Sequence, residues 1–179
     1  TQVAAKREFI RDALTRIGGF EWPDPVVVHA GDEWGYRART QLKLFRKGEQ
    51  VRVGFHRAFS HDVVDVQECP VLAEPLERGL GDVRAALARL PEDDLPYQVE
   101  GACGVAGAAW SPDMPGLRKD LVEHEVLGFR YLIEPESFFQ GNRWLVAGLV
   151  AGAIADSQGK LAFDLYAGVG LFTLPLSRR

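Results

Sequence analysis

The chain has 179 residues, 46% hydrophobic and 26% charged, a composition that is typical of a folded globular protein and excludes a disordered or collagen-like chain. The formal net charge of −4 argues against a general nucleic-acid binder. The basic residues are nevertheless concentrated between positions 37 and 57, where seven of them accompany one acid, Glu49 (Arg37, Arg39, Lys43, Arg46, Lys47, Arg52 and Arg57).

The cysteine content and the hydropathy narrow the class of protein further. Two cysteines, Cys69 and Cys103, are too few for a disulfide framework or for a zinc site, which needs about four ligands. No stretch approaches the roughly 18 apolar residues of a membrane span, and the residues from Thr1 onward do not follow the pattern of a signal sequence. We therefore expect a cytoplasmic protein. Because the chain has no initiator Met and stops soon after a predicted helix start, we also expect a fragment.

The first third of the chain predicts a helix followed by strands. Residues 6–17 carry apolar side chains at helical spacing and predict an amphipathic helix that ends at Gly18. After a proline-containing break, residues 26–28 predict a short strand. Residues 36–45 show a clear two-residue alternation, which predicts a longer strand.

That longer strand has two different faces. Successive side chains of a strand point to opposite sides, so Arg37, Arg39 and Lys43 are expected together on one face, with apolar residues on the other. A hairpin turn is predicted at 47–49, leading into a second strand over 51–56.

The middle of the chain predicts a further strand at 62–66 and then a helix. Apolar residues repeat every three or four positions from Leu72 to Leu90, with a break expected at Gly79 and Gly81. This apolar stripe is interpreted as core packing. Residues 91–120 indicate only weak strands and loops.

The last part of the chain has the alternating order of an α/β protein. A strand is predicted at 129–133, and Asn142 is predicted to cap a helix that ends at 157–159. Residues 161–166 predict a short apolar strand, 167–170 a glycine-bearing turn, and Leu171 the start of a helix.

The glycine-bearing turn has the sequence context of a cofactor site. Glycines between a strand and a helix allow a backbone to approach a cofactor closely. A dinucleotide site would require a small residue at Thr173 and a later acid, whereas an acid four residues before the first glycine is typical of S-adenosylmethionine sites. Asp164 and Gly168 fit the second pattern. An ordinary strand-turn-helix corner is the alternative.

Two motifs near the end of the chain, 137–142 (SFFQGN) and 164–170 (DLYAGVG), together resemble the RNA 5-methyluridine (uracil-5-) methyltransferases. The similarity extends back to about Lys6. Further segments resemble the central domain of that family in the same order along the chain: 36–39, 54–57 with 60–62, and 68–72.

The resemblance implies two domains and a defined reaction. It implies an α+β central domain facing RNA over 1–134, followed over 135–179 by the beginning of an α/β Rossmann-like methyltransferase domain that binds S-adenosylmethionine. The implied reaction methylates carbon-5 of a uridine in tRNA or ribosomal RNA. A cysteine thiolate adds to carbon-6, carbon-5 takes the methyl group, and a carboxylate base helps to remove the carbon-5 proton.

The resemblance assigns no catalytic residue within the chain. In the family, the nucleophile and the base follow the glycine turn, and none of the nine residues after Gly170 is Cys or Glu. We therefore expect this chain alone to be inactive. Cys103, among Gly and Ala residues, is interpreted as a small buried thiol.

For the cofactor, the resemblance assigns a side-chain contact to Gln140 and further contacts to Tyr166, Gly168 and Gly170. Asp164 is expected to order the glycine turn. A solvated Gln140 and a core Tyr166 are the alternatives. The motifs depart from the family at Gly141, where an aliphatic residue is usual, and at Leu171, where a small polar residue is common.

For RNA, the predicted phosphate contacts are Arg37, Arg39 and Lys43 with Arg57 and His61. A solvated cationic strand edge is the alternative. Residues 91–125 form a shorter stretch than the family's central sheet requires, which leaves the RNA target open.

Cys69, followed by proline, resembles the position that supplies the fourth ligand of an iron-sulfur cluster in many members of the family. The other three ligands are absent from this chain, so Cys69 is a candidate cluster ligand only in a longer protein, with a plain buried cysteine as the alternative.

The sequence is also compatible with two other functions. One is a non-catalytic RNA-binding module, and the other is an S-adenosylmethionine-dependent methyltransferase with a non-RNA substrate, for which the basic segment would be incidental. Salt-dependent RNA binding would argue against the second.

Overall fold

A computed structural model describes residues 1–48, 50–117 and 119–179, in two compact units, Thr1–Gly31 and Asp32–Arg179. Glu49, counted above in the basic run and in the predicted hairpin turn, lies outside the described residues.

The first unit contains the predicted N-terminal helix. Helix α1 spans Gln2–Asp12, begins with Thr1 Oγ1 accepting from the Ala4 N–H at 3.4 Å, and continues as a π-helical turn over Ala13–Ile17. The helix therefore begins four residues earlier than predicted. The strand predicted at 26–28 is wrong, because no strand of the described residues pairs with it and an unpaired strand leaves its backbone groups without partners.

The second unit is built on an antiparallel five-stranded sheet with the order β3-β2-β1-β4-β5. Its strands confirm the three predicted between 36 and 66, and they place two more in the segment where weak strands were expected. The strands are β1 Arg39–Lys47, β2 Gln50–His56, β3 Val63–Asp65, β4 Gln98–Gly104 and β5 Gly107–Ser111.

Helix α2, Glu74–Ala88, covers one face of this sheet and confirms the predicted apolar stripe. The predicted break at Gly79 and Gly81 is wrong, since the helix runs through both. Gly79 is explained by packing: the buried Trp110 indole lies between Gly79 of the helix and Gly101 of β4. The core of this layer also contains residues from the helix and the inner face of the sheet (Leu76, Leu80, Val83, Leu87, Leu42, Val53 and Val99).

A second core lies on the other face of the sheet, over the β4 and β5 end. Strands β6 Val122–Val126 and β7 Phe129–Ile133 form a hairpin. Its turn uses Leu127 and Gly128, both with positive φ, as tight hairpins require. The hairpin packs with helix α3, Val146–Ala153. Strand β7 was predicted, whereas β6 was not.

Asn142 caps the turn that leads into α3. Its Oδ1 accepts from the Trp144 N–H at 3.0 Å and from the Leu145 N–H at 3.3 Å. The helix itself begins at Val146, four residues beyond the predicted cap.

The chain ends with helix α4, Thr173–Leu176, after the glycine turn. The strand predicted at 161–166 is wrong, since these residues are without regular secondary structure and Leu161, Phe163 and Leu165 are exposed. A buried strand of an α/β sheet needs neighbouring strands on which to pair, and none of the described residues supplies one.

Within the described residues, no helix has the length and apolar character needed to cross a membrane.

Candidate functional site

Three of the motif segments found in the sequence meet at the start of β1. On one side, the Arg37 N–H donates to the Val71 carbonyl and the Ala73 N–H donates to the Arg37 carbonyl, each at 2.9 Å. On the other side, the Ala38 N–H donates to the Gly141 carbonyl at 2.8 Å. The segment before β1 is thus held between the segment after Cys69, about 35 residues later in sequence, and the segment after Gln140, about 100 residues later.

Gln140 lies on a backbone that is fixed on both sides. The preceding Phe139 is buried in the second core, with its ring 4.5 Å from the His124 ring and 5.9 Å from the Tyr131 ring. The following Gly141 carbonyl accepts the Ala38 N–H. The side chain of Gln140 is half-buried, and its neutral amide can both donate and accept hydrogen bonds.

The glycine turn has the backbone geometry that its sequence indicates. Tyr166, Gly168 and Gly170 have φ of 61°, 57° and 79°, so every second residue is left-handed. A Cβ at Gly168 would meet nothing within 4 Å, which leaves the turn open to a ligand's approach. Asp164 Oδ2 accepts from Thr173 Oγ1 at 2.5 Å, so Asp164 ties the segment before the turn to α4.

Tyr166 is fully exposed. The alternative that it is a core residue is therefore wrong.

Sequence reasoning missed Tyr131, which links the two segments that are predicted to contact the cofactor. Its ring packs near Phe139, the residue before Gln140, and its hydroxyl donates to the carbonyl of Leu171, the residue after Gly170, at 3.2 Å. Tyr131 occupies an inward position of β7, and that alternation is the signal that could have identified it.

A cleft of about 680 Å³ opens beside the turn, lined by residues 156–164 and by part of the C-terminal segment. Its lining includes Asp164 and Thr173 but not Gln140. Gln140 and the turn are therefore attached to one core, but among the described residues they do not line one cavity.

Two of the predicted phosphate contacts, Arg39 and Lys43, share one face of β1, as expected. Arg37 precedes the strand, because its backbone groups are used by the segment after Cys69, and its exposed Nε donates to the Arg39 carbonyl at 3.2 Å. Arg39 is half-buried, and its Nη2 donates to the Pro135 carbonyl at 2.9 Å. Burial lowers the pKa of the Arg39 guanidinium. Arg39 thus has a structural contact, and its contact to phosphate stays a prediction.

Lys43 lies on the uncovered part of the sheet. We call this surface the open sheet face and define it by residues of β1, β2 and the start of β4 (Gln41, Lys43, Phe45, Arg52, Tyr97, Gln98 and Glu100). Lys43 Nζ donates a hydrogen bond to Gln98 Oε1 and lies 4.8 Å from the centre of the Tyr97 ring. The Arg52 guanidinium lies 5.3 Å from the centre of the Phe45 ring.

The sequence did not predict these two cation-aromatic pairs, Lys43 with Tyr97 and Arg52 with Phe45. Arg52 is opposite Phe45 in the β1-β2 register, so both side chains lie on the same face. Cations interleaved with exposed aromatic rings are what a surface needs to bind phosphates and bases together.

Arg57 and His61 lie on the loop between β2 and β3 and are exposed. The His61 ring packs edge-on against the ring of His56, the last residue of β2, with centroids 5.5 Å apart. This contact joins the loop to the sheet.

The two cysteines differ in burial. Cys103 is buried in the core between α2 and the sheet, as predicted. Burial raises the pKa of its thiol to about 11, although nearby Arg143 opposes the shift. Cys69 is half-buried against the same core. The described part of the chain has no group of three or more His, Cys, Asp or Glu that could hold a metal, so the role of Cys69 as a cluster ligand stays a prediction.

Comparison with known proteins identifies related sequences over nearly the whole chain. The 23S rRNA (uracil(1939)-C(5))-methyltransferase RlmD of Pseudomonas fluorescens is 29% identical over 219 residues, covering 99% of this chain and 48% of the relative. The enzyme of the same name from Yersinia enterocolitica is 32% identical, covering 93% of this chain and 47% of the relative. The chain spans about half the length of the curated relatives it matches. No family model matches the chain.

The aligned length of 219 residues exceeds the 179 residues of the chain. The relative therefore has residues within the matched region that this chain lacks.

Among solved structures, the tRNA (uracil-54, C5)-methyltransferase of Pyrococcus abyssi, in complex with S-adenosyl-L-homocysteine, has the same fold, with a TM-score of 0.74. It is 21% identical and the match covers 98% of this chain and 54% of that structure. The predicted fold class is confirmed. So is the resemblance: over nearly its whole length, the chain is a relative of the RNA 5-methyluridine (uracil-C5) methyltransferases.

Proposed function

We propose that the protein carrying this sequence methylates carbon-5 of a uridine in RNA, with S-adenosylmethionine as the methyl donor. The observation that carries this proposal is the match of 99% of the chain to enzymes named for uracil-C5 methylation of RNA. The solved relative was bound to S-adenosyl-L-homocysteine, which is what remains of S-adenosylmethionine after methyl transfer.

The residues proposed for the cofactor are Gln140, Tyr166, Gly168 and Gly170. The donor supplies an electrophilic methyl group, and the task of the chain is to hold it. The open side of the glycine turn is suited to close approach of a ligand to the backbone. The fixed backbone on either side of Gln140 limits the directions that its amide can take, which reduces the entropy lost on binding. Asp164 is proposed to order the turn through Thr173.

The proposed RNA contacts are Lys43 and Arg52 of the open sheet face, Arg57 and His61 of the adjoining loop, and the exposed Arg37 before β1. RNA recognition relies on phosphate contacts and on stacking of unpaired bases, and this surface offers both. The curated relatives are named for 23S rRNA, so 23S rRNA is the first substrate to test.

Three further features belong to this proposal. We propose a functional boundary between residues 134 and 135, a location in the cytoplasm, and Cys69 as a ligand of an iron-sulfur cluster in the complete protein. Iron quantification of the full-length protein and of its Cys69→Ser variant tests the cluster.

The cofactor site is tested by calorimetry on the full-length protein with S-adenosyl-L-homocysteine. Gln140→Ala is expected to weaken binding by about 1 to 3 kcal/mol, since it leaves polar groups of the ligand without partners. Gln41→Ala, an exposed amide on the open sheet face, is the matched control and should leave the affinity unchanged. If both variants bind S-adenosyl-L-homocysteine with equal affinity, the Gln140 side chain contacts solvent and not the cofactor.

The RNA surface is tested by salt titration of binding to a 23S rRNA fragment. Replacing Lys43 and Arg52 with Gln should lower the magnitude of the slope of log affinity against log salt by about 1.4, at roughly 0.7 per phosphate contact on single strands. Arg78→Gln is the matched control, because Arg78 is exposed on α2, which covers the opposite face of the sheet. If the Lys43 and Arg52 variant and the Arg78→Gln control change the salt slope by the same amount, the open sheet face is not the RNA surface.

A further inference from the structure

The loop between β2 and β3 presents an aromatic side chain to solvent at its tip. Phe59 is fully exposed, and its backbone is left-handed, with φ of 57°. That conformation favours Gly, Asn or Asp, and a phenylalanine ring gains nothing from complete exposure to water. Neither backbone preference nor burial explains the presence of phenylalanine at this position.

The loop is closed by its own hydrogen bonds. The Arg57 N–H donates to the Asp62 carbonyl at 2.8 Å, and the Ser60 N–H donates to the Arg57 carbonyl at 3.1 Å. Ser60 Oγ in turn accepts the Asp62 N–H at 3.0 Å. The tip is therefore held in shape before any partner binds, so little conformational entropy is lost when the Phe59 ring is covered.

The charges around the tip indicate what covers the ring. Arg57 and His61 flank Phe59, and Asp62 is the one acid of the loop. The His56 and His61 rings pack together, and alternation along β2 places His56 on the same face as Arg52. The tip is thus an extension of the basic open sheet face. An apolar ring beside cations is complementary to a nucleotide, which combines a stacking base with a phosphate.

We infer that Phe59 stacks on an unpaired base of the RNA, while Arg57 contacts a neighbouring phosphate. A paired base inside a helix has both faces covered by its neighbours, so a protein ring can stack only on a base of a loop, bulge or single strand. This inference rests on the proposed RNA-binding function and adds to it a site that distinguishes unpaired bases from paired ones.

The test uses the chain with a short single-stranded RNA that carries 2-aminopurine, and with a duplex of the same sequence. Phe59→Asn removes the ring and places a residue that tolerates the left-handed backbone, so thermal unfolding should be unchanged or improved. Affinity for the single strand should fall by about 5- to 150-fold, the effect of losing one stacked base, and 2-aminopurine quenching should be lost. The salt slope should not change, since no charge is removed. Phe59→Tyr should retain the affinity.

Leu127→Ala is the matched control, because Leu127 is also exposed with a positive φ in a tight turn. It should leave RNA binding unchanged. If the unaltered chain binds the RNA and Phe59→Asn binds it equally well, the stacking inference is overturned while the RNA surface stands. If the loss is equal for single strand and duplex, Phe59 contacts the backbone and the inference is also overturned. If the unaltered chain shows no salt-dependent RNA binding, both the inference and the proposed RNA function are overturned.

Discussion

Two glycines in α2, only two positions apart, are predicted to respond oppositely to the same substitution. A Cβ at Gly79 would lie 2.6 Å from Cζ2 and 3.0 Å from Nε1 of Trp110, closer than real Cβ atoms approach. A Cβ at Gly81 would meet nothing within 4 Å. The two sites share one helix and differ in what they face.

The magnitudes follow from this geometry. Alanine is favoured over glycine inside a helix by about 1 kcal/mol, so Gly81→Ala should stabilise the protein by that amount. Gly79→Ala has the same propensity gain but must displace a buried indole, which costs about 1 to 3 kcal/mol. The two variants should therefore differ by about 1 to 3 kcal/mol in free energy of unfolding, or roughly 2 to 12 °C in Tm for a domain of this size.

Thermal and urea unfolding of both variants measures the difference, and a third variant identifies its cause. Trp110→Phe removes the indole atoms nearest Gly79. In that background, Gly79→Ala should become as stabilising as Gly81→Ala, with a coupling energy of about 1 to 3 kcal/mol. If Gly79→Ala stabilises the unaltered protein as much as Gly81→Ala, or if the cycle shows no coupling, the packing argument is refuted.

Three further outcomes are expected. Tyr131→Phe should cost about 1 kcal/mol of stability by removing the bond to the Leu171 carbonyl, and hydrogen exchange should show faster opening of the glycine turn. Burial, and then the nearby charge of Arg39, lower the pKa of His124 in the folded protein, so the imidazole binds a proton more readily in the unfolded chain. The Tm should therefore fall as the pH drops below about 6.5, and His124→Gln should weaken this pH dependence. Arg84→Met should lower the free energy of unfolding, measured in urea, by about 2 kcal/mol, because half-buried Arg84 pairs with Asp65 at 2.7 Å and donates to two backbone carbonyls. An equal loss of stability in the exposed variant Arg78→Met would contradict this prediction.

Much of the fold and the family could be predicted from local patterns. The alternation in 36–45 predicts β1, the repeat from Leu72 to Leu90 predicts α2, and the Asp164 and glycine motif predicts a turn whose left-handed residues the structure confirms. Each of these signals lies within a few residues of sequence, where backbone preference and periodic burial act directly.

Other features depended on partners that are distant in sequence. The segments 26–28 and 161–166 have strand-like composition but no partner strand among the described residues, and pairing rather than composition makes a strand. Strand β6 shows the reverse: its short charged pattern predicts little, and the hairpin with β7 together with the second core produces it.

The sequence by itself determined which motifs the chain carries and their order; the tertiary structure alone decided which side chains are available to bind. Arg39 and Lys43 are equivalent in the strand pattern, yet Arg39 donates to the backbone carbonyl of Pro135, whereas Lys43 donates to the Gln98 side chain on the open sheet face. Tyr131 has no motif, yet it joins the segment of Gln140 to the glycine turn. The physical reason is that availability depends on what packs above a side chain, and those atoms come from residues tens of positions away.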